Sequence, residues 1–304
     1  MLPYTLRQLE YALAVNEHGS VARAAASFGV AQPSVSASLA KLEDQIGLQL
    51  FIRHHAQGVT ATPQGARFLA EARNLLSQAQ DLQRQSEAAG TTIEGTLSIG
   101  SFTTIAPAFA PKIISQFMAL HPKAKLRLEE GTQEHLFEGL RGGRYDLALL
   151  YSVDLPDEFM STPLVSLPPH ILLPQHHRLA TRRRIALRDL AAEPFVLLDI
   201  PPSRTYFLRI LQSAGIEPKI AFSSPSLEIV RGLVGQGLGY SILITRPHGD
   251  HSYDGEPLAI RAIAEDVERG EIVLATLRQM RKTRLVSAFE EHCVRYFKSR
   301  DGKR

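Results

Sequence analysis

The chain has 304 residues, 44% of them hydrophobic, enough to bury at least two ordinary cores, so a multi-domain soluble protein is expected. No apolar run approaches membrane-spanning length, and Met1-Leu2-Pro3-Tyr4-Thr5-Leu6 has neither the charge nor the apolar stretch of a signal peptide, which points to the cytoplasm and away from a membrane partner. Net charge is +3, yet residues 1–90 balance seven cations (Arg7, Arg23, Lys41, Arg53, Arg67, Arg73, Arg84) against seven acids (Glu10, Glu17, Glu43, Asp44, Glu71, Asp81, Glu87), so bulk charge gives no argument for a polyanionic partner, and any such affinity must come from the placement of a few cations. The excess lies in Arg182-Arg183-Arg184 and around Arg295, Lys298, Arg300, Lys303 and Arg304, which read as solvated surface. Cys293 is the single cysteine; it forms no internal disulfide and has no resolving partner, which fits a reducing compartment and argues against a thiol switch.

In chain order, Leu6 to Asn16 reads as a helix with Leu6, Leu9 and Leu13 facing inward. Ser20 is an N-cap for an Ala-rich helix that ends at Gly29, and a further helix opens at Gln32-Pro33. In that helix Val35, Leu39, Leu42 and Ile46 form the apolar stripe, while Gln32, Ser34, Ser38 and Lys41 form a polar face of little bulk. Alone, such a helix is ordinarily a plain surface helix. After an Ala-rich helix and a Gly-containing turn it completes a helix-turn-helix, whose amide, hydroxyls and amine suit base edges and phosphates. Leu50 to Arg53 and Val59-Thr60-Ala61, joined through Gln57-Gly58, then read as a wing carrying Arg53, His54 and His55 along the phosphates. The two adjacent imidazoles would point opposite ways, so no metal is expected there.

Leu6 to Arg73 resembles, without a gap, the winged helix-turn-helix of the LysR-type transcriptional regulators. The resemblance is carried by Leu6-Arg7-Gln8-Leu9, Gly19-Ser20, Ala24-Ala25, Gln32-Pro33-Ser34-Val35-Ser36, Lys41-Leu42-Glu43, Gly47, Leu50-Phe51, Arg53 and Thr62-Pro63-Gln64-Gly65. It implies a DNA-binding domain over residues 1–62 that contacts double-stranded DNA through Arg23, Gln32, Pro33, Ser34, Ser36, Ser38, Lys41, Arg53, His54 and Thr62, with Arg53 matching the family's wing arginine. Where many members have a bulky basic residue after the second serine of the recognition helix, this chain has Ala37, so base readout is expected to be lean and to rely more on DNA shape.

Thr62 caps and Pro63 opens a helix over residues 63–89, in which Leu69, Leu76 and Gln83 alternate with Ala72, Ala79 and Leu82. About 25 helical residues span ~38 Å, more than a small domain needs, so a dimer-forming coiled coil is preferred to a solitary helix lying on its own protein. Residues 90–95 read as a hinge. Strands at Thr96 to Gly100, Lys125 to Glu129 and Asp146 to Tyr151 alternate with helices at Pro107 to Leu120 and His135 to Arg141, which predicts a parallel α/β sheet. A second unit from Ser166 repeats the pattern, with strands at Ile171 to Leu173, Phe195 to Leu198, Lys219 to Phe222 and Tyr240 to Ile244, and helices near Leu187 to Ala191, Tyr206 to Ala214 and Leu227 to Gly235. Ile272 to Thr276 and a helix from Arg284 to Lys298 return to the first unit. This α/β arrangement is similar to the family's two-lobed, periplasmic-binding-protein-like effector domain, with residues 96–165 and 267–304 as one lobe and 166–266 as the other.

Ligands of open parallel sheets lie beyond the carboxyl ends of the strands. The candidate effector residues are therefore Ser101, Phe102, Thr103, Thr104, Thr132, Tyr151, Asp199, Pro202, Ser203, Arg204 and Phe222, places that also line the pocket in the family. Ser101 and Ser203 would otherwise be plain helix caps. Amides and hydroxyls suit a carboxylate and Asp199 suits an amine or hydroxyl, so the expected effector is a small carboxylate or amphoteric metabolite. No activated nucleophile, metal cluster or cofactor loop is present in the sequence: Gly235-Gln236-Gly237-Leu238-Gly239 leads into a strand instead of following one, and His248-Gly249-Asp250-His251 lacks further ligands, so neither an enzyme nor a cofactor is expected. The resemblance implies a homodimer pairing into a tetramer, a pseudo-palindromic promoter site and contact with RNA polymerase. The competing classes are a constitutive architectural DNA binder, which would not need the two lobes, and a solute-binding module, which would not need residues 1–90.

Overall fold

The computed structural model describes residues 3–54, 58–87 and 93–301. Helix α1 (Leu6–His18) starts at a capping box, in which the Thr5 hydroxyl accepts from the Gln8 amide and the Gln8 side chain accepts from the Thr5 amide. Its inner face is Leu9, Ala12 and Val15; Leu6, expected to face inward, is 46% exposed because the buried stripe passes beside it. Helix α2 (Val21–Ser27) is capped by Ser20 and buries only Ala24 and Ala25, so its neighbours approach closely. Helix α3 (Gln32–Ile46) buries Val35, Leu39 and Leu42, as the periodicity predicts.

Strands β1 (Phe51–His54) and β2 (Gly58–Ala61) pair antiparallel as the wing, with His55 and Gln57 outside the described residues. The wing is laid on the end of α1: the Val59 amide donates to the Gly19 carbonyl, and a Cβ on Gly58 would lie 2.3 Å from that oxygen. Helix α4 (Pro63–Glu87) follows. Gly65 in its first turn lies under the Leu50 carbonyl, 2.2 Å from where a Cβ would be, which gives the Thr-Pro-Gln-Gly run a steric reason. Leu69, Ala72 and Leu76 are buried in the core of this N-terminal unit, so the first turns of the expected coiled-coil stripe serve their own chain; the side chains of Leu82 and Gln83 lie outside the described residues.

Of the hinge expected at 90–95, residues 90–92 lie outside the described residues, and Gly95 already begins a strand. Lobe 1 is built from β3 (Gly95–Phe102), α5 (Ala106–Leu120), β4 (Ala124–Gly131), α6 (Gln133–Arg141), β5 (Leu147–Tyr151) and β6 (Phe159–Leu167). Lobe 2 is built from β7 (His170–Pro174), β8 (Arg184–Ile185), β9 (Pro194–Leu198), α7 (Ser203–Ser213), β10 (Lys219–Ser224), α8 (Leu227–Gly235), β11 (Ser241–Leu243) and β12 (Leu258–Ile263). The chain then returns through β13 (Gly270–Leu277) and α9 (Arg284–Asp301).

The first sheet has the order β4-β3-β5-β13-β6 and is mixed: β3 is parallel to β4 and β5, but β13 runs antiparallel to β5 and β6. The expected all-parallel sheet is thus corrected by the returning strand. Strand β6 is not anticipated because Pro163 interrupts its apolar run; the register shift opposite Ile272 and Val273, on an edge strand, accommodates it. In lobe 2, β9 and β10 pair in parallel, and a bridge from Phe195 to Tyr240 joins them to β11-β7-β12-β8, where β12, also unanticipated, lies antiparallel to β7. Leu187–Leu190 is a 3₁₀ turn where a helix was expected. The segments after β6 and after β12 are the two crossings, and one continuous apolar core runs through both lobes.

Candidate DNA-reading face and effector cleft

Helix α3 presents Gln32, Pro33, Ser34 and Lys41 exposed and Ser36 and Ser38 half-buried, opposite its buried stripe. Two ties set its orientation. The Gln8 side chain donates to that of Gln45, and Glu43 Oε1 accepts from the Leu50 and Phe51 amides at 2.6 and 3.1 Å. The second tie fixes the wing to the end of the recognition helix, a role for Glu43 that the sequence motif contains but does not explain. Arg53 Nη2 reaches Ser36 Oγ at 3.5 Å, so the wing arginine and recognition helix share one surface. His54 Nε2 lies 2.8 Å from Thr60 Oγ1 across the hairpin. Thr62 donates to the Gln49 carbonyl and accepts from the Gly65 amide, so its hydroxyl is engaged as the cap of α4. Arg23 is exposed on α2.

The cleft residues gather around the carboxyl ends of β3 and β5. Ser101 is wholly buried, and its Oγ, like Thr103 Oγ1, has no hydrogen-bond partner among the described residues. Thr104 Oγ1 lies 3.3 Å from the Tyr151 hydroxyl, which also faces the side chain of Thr245 two residues beyond β11, so hydroxyls of the two lobes come together here. Burial pushes the Tyr151 hydroxyl up to about 12, against the partial opposition of those two threonines, so it remains a neutral donor. Phe102 packs edge-on against Tyr151 and is fully buried; its ring supports the tyrosine from within the core. Gln133 follows the Thr132 cap of α6, donates to the Val153 carbonyl, and leaves its Oε1 without a partner among the described residues.

From lobe 2, Ser203 opens α7, buried, after the cis peptide of Pro201-Pro202. Tyr206 one turn on donates to the Glu268 carbonyl in the returning crossing. Asp199 pairs with Arg204 at 2.8 Å, so the two charges expected to meet a ligand already meet each other. Phe222 stands 43% exposed on the edge strand β10, apart from these hydroxyls. Sequence reasoning missed Gln133, Ser241 and Thr245. Ser241 Oγ is buried without a partner among the described residues, and only the tertiary fold brings Thr245 to Tyr151.

The loop at 248–251 has a structural anchor: buried Arg231 donates to the His251 carbonyl at 2.6 Å and to Glu228. Among the described residues no group of three His, Cys, Asp or Glu could hold a metal ion. Cys293 is buried in α9 and its thiol is pushed well up by burial, the opposite of a reactive thiolate. Among the described residues no helix is long and apolar enough to cross a membrane.

A winged helix that can lie in a DNA groove, joined by a long helix to two α/β lobes that bring buried polar side chains together, defines a DNA-binding regulator with an effector domain. The profile of "Bacterial regulatory helix-turn-helix protein, lysR family" matches residues 6–66, and that of "LysR substrate binding domain" matches residues 90–298. The chain belongs to the LysR family of transcriptional regulators, and so is a DNA-binding regulator and not an enzyme. It is 33% identical over 239 residues to a hydrogen peroxide-inducible genes activator of Pectobacterium carotovorum subsp. carotovorum, covering 78% of this chain and 79% of that one. It is 41% identical to the crystallised HinK, a LysR family transcriptional regulator from Pseudomonas aeruginosa, with a TM-score of 0.66 over 97% of this chain and 99% of that one. Full-length OxyR C199D from Pseudomonas aeruginosa is 26% identical, with a TM-score of 0.76 over 95% and 97% of the two chains.

Proposed function

We propose that this regulator reads a pseudo-palindromic promoter site as a homodimer or tetramer and changes its grip on that DNA when a small carboxylate or amphoteric metabolite closes the cleft between its lobes. The observation that carries the effector class is the pair of buried, unpartnered hydroxyls at Ser101 and Thr103 beside the neutral Thr104–Tyr151 pair. Buried polar groups are rarely left unpaired, and hydroxyls with the first amides of a helix can receive an anion without a fixed cation. Because Asp199 and Arg204 neutralise each other, the cleft has no net demand for a strongly charged ligand. An effector acts only by its differential affinity for the open and closed arrangements.

Oligomerisation is supported by the edge strand β10, which exposes Ile220 and Phe222. Contact with RNA polymerase and a cytoplasmic location complete the reading. The peroxide response in the names of some relatives is not extended to this chain through a disulfide, since Cys293 is its single cysteine and is buried.

The test is binding of the purified protein to DNA from just upstream of its own gene, at stated salt and against unrelated competitor, followed by a panel of small carboxylates. Protection of a pseudo-palindrome that changes with one carboxylate, and no longer does so in Ser101→Ala, supports the reading. Equal affinity for competitor DNA throughout favours an architectural binder.

A further inference from the structure

The DNA-binding unit of this chain is seated on lobe 1, and charged side chains of both units meet across the seat. Ala70 on α4 is buried with Gly143 directly above it, at φ +62 in the turn after α6; a Cβ on Gly143 would lie 2.8 Å from Ala70 Cα and 3.4 Å from the Arg73 guanidinium. Arg73 Nη1 is buried there without a hydrogen-bond partner among the described residues. The charge that faces Arg73 most strongly from lobe 1 is the sequestered carboxylate of Asp146, which accepts from the Ser98 amide at 2.7 Å. At the rim, Glu17 of α1 pairs with Arg127 of β4 at 2.5 Å. Between these contacts the units enclose a cleft of about 980 Å³, lined by Glu10, Glu17 and Arg73 from one side and by Arg127, Arg144 and Asp146 from the other.

An interface of this kind differs from the two cores. The cores are closed and apolar, whereas the seat is open, mixes charged with apolar side chains, and leaves one guanidinium nitrogen unsatisfied, which is a cost to docking. Gln32, Ser34 and Lys41 are not among the residues that line the cleft and remain exposed, so docking leaves the reading face of α3 available. We propose that lobe 1 carries a docking seat for its own DNA-binding unit, closed by Ala70 and Arg73 on Gly143 and by Glu17 on Arg127, and that docking fixes the angle at which the recognition helix is presented. The seat therefore sets which half-site spacing the regulator accepts. The spacing consequence rests on the dimeric reading above, whereas the seat itself does not.

The experiment uses the full chain with spin labels attached through cysteines introduced at Ala22 and Glu130, diluted into excess unlabelled protein so that only distances within one chain are read. Wild type is expected to give one dominant distance. Glu17→Arg and Arg127→Glu should each broaden it toward longer values, and the double variant should restore it. Arg73→Met, which leaves the buried Asp146 carboxylate without its facing charge, should also broaden the docked distance. In parallel, operator DNA is compared with DNA whose half-sites are moved apart by roughly half a helical turn, about 5 bp. Each single reversal should reduce the preference for natural spacing about three- to tenfold, and the swap should recover it. Single reversals that leave the distance unchanged, or a swap that fails to restore it, overturn the seat. A wild-type protein with the docked distance but no specific DNA binding overturns the proposed function and leaves the seat standing.

Discussion

Removing the Glu43 carboxylate isolates what ties the wing to the recognition helix. Its Oε1 accepts from the Leu50 and Phe51 amides at 2.6 and 3.1 Å, and both residues are buried. In Glu43→Ala those two amides lose a charged acceptor. Hydrogen bonds to charged groups are worth about 1.5–3 kcal/mol each, and the partial exposure of Glu43 places these at the lower end, so the DNA-binding unit should lose about 3 kcal/mol. Glu43→Gln keeps an acceptor oxygen and should lose about half as much. Because Arg53 is two residues beyond Phe51, the wing should also lose its register against the phosphates, and operator affinity should fall in the same order. Scanning calorimetry of the full chain can follow this unit, whose core is separate from that of the lobes. A Glu43→Ala transition within about 0.5 kcal/mol of wild type, or Glu43→Gln as damaging as Glu43→Ala, would refute the assignment.

Gln32→Ala should cost about 1–3 kcal/mol at one base position and relax the preference there, whereas Arg53→Ala should weaken all sequences alike and lower the salt slope by about one; a base-substitution series at several salt concentrations distinguishes them. Gly65→Val should push a side chain into the Leu50 carbonyl and lower the melting temperature of the DNA-binding unit, and an unchanged melt would mean that α4 can move aside cheaply. Tyr151 should make stability fall at high pH: its hydroxyl holds a proton to about 12 in the native state and to about 10 when unfolded, so its contribution is whole below pH 10 and declines above it. Tyr151→Phe should remove that part of the decline in a urea titration. Cys293 should resist iodoacetamide until the chain is unfolded, and hydrogen peroxide should leave DNA binding unchanged; labelling of the native protein would show that α9 opens.

Local sequence was sufficient for the helix-turn-helix, because a buried stripe at Val35, Leu39 and Leu42, a serine cap at Ser20 and a left-handed Gly29 each act within a few residues of themselves. It was likewise sufficient for the alternating strands and helices of the lobes, where burial on both faces writes long apolar runs. It could not give β6, whose Pro163 argues against a strand until a bulge on an edge makes room for it, nor the antiparallel return of β13, since strand direction is a property of partners far apart in the chain. In the cleft, Ser101, Thr103 and Thr104 were legible as residues following a strand. Thr245 was not, because its side chain comes to Tyr151 only once lobe 2 has packed against lobe 1. Asp199 and Arg204 were legible as charges, but their pairing, which removes both as free partners for an ion, was settled by the turn into α7. The sequence by itself determined which segments are greasy, capped or bent, since those are local energies. Only the tertiary structure decided that Arg73 meets Gly143 and faces the charge of Asp146, 73 residues away in sequence, because contacts between units depend on shapes that no single segment encodes.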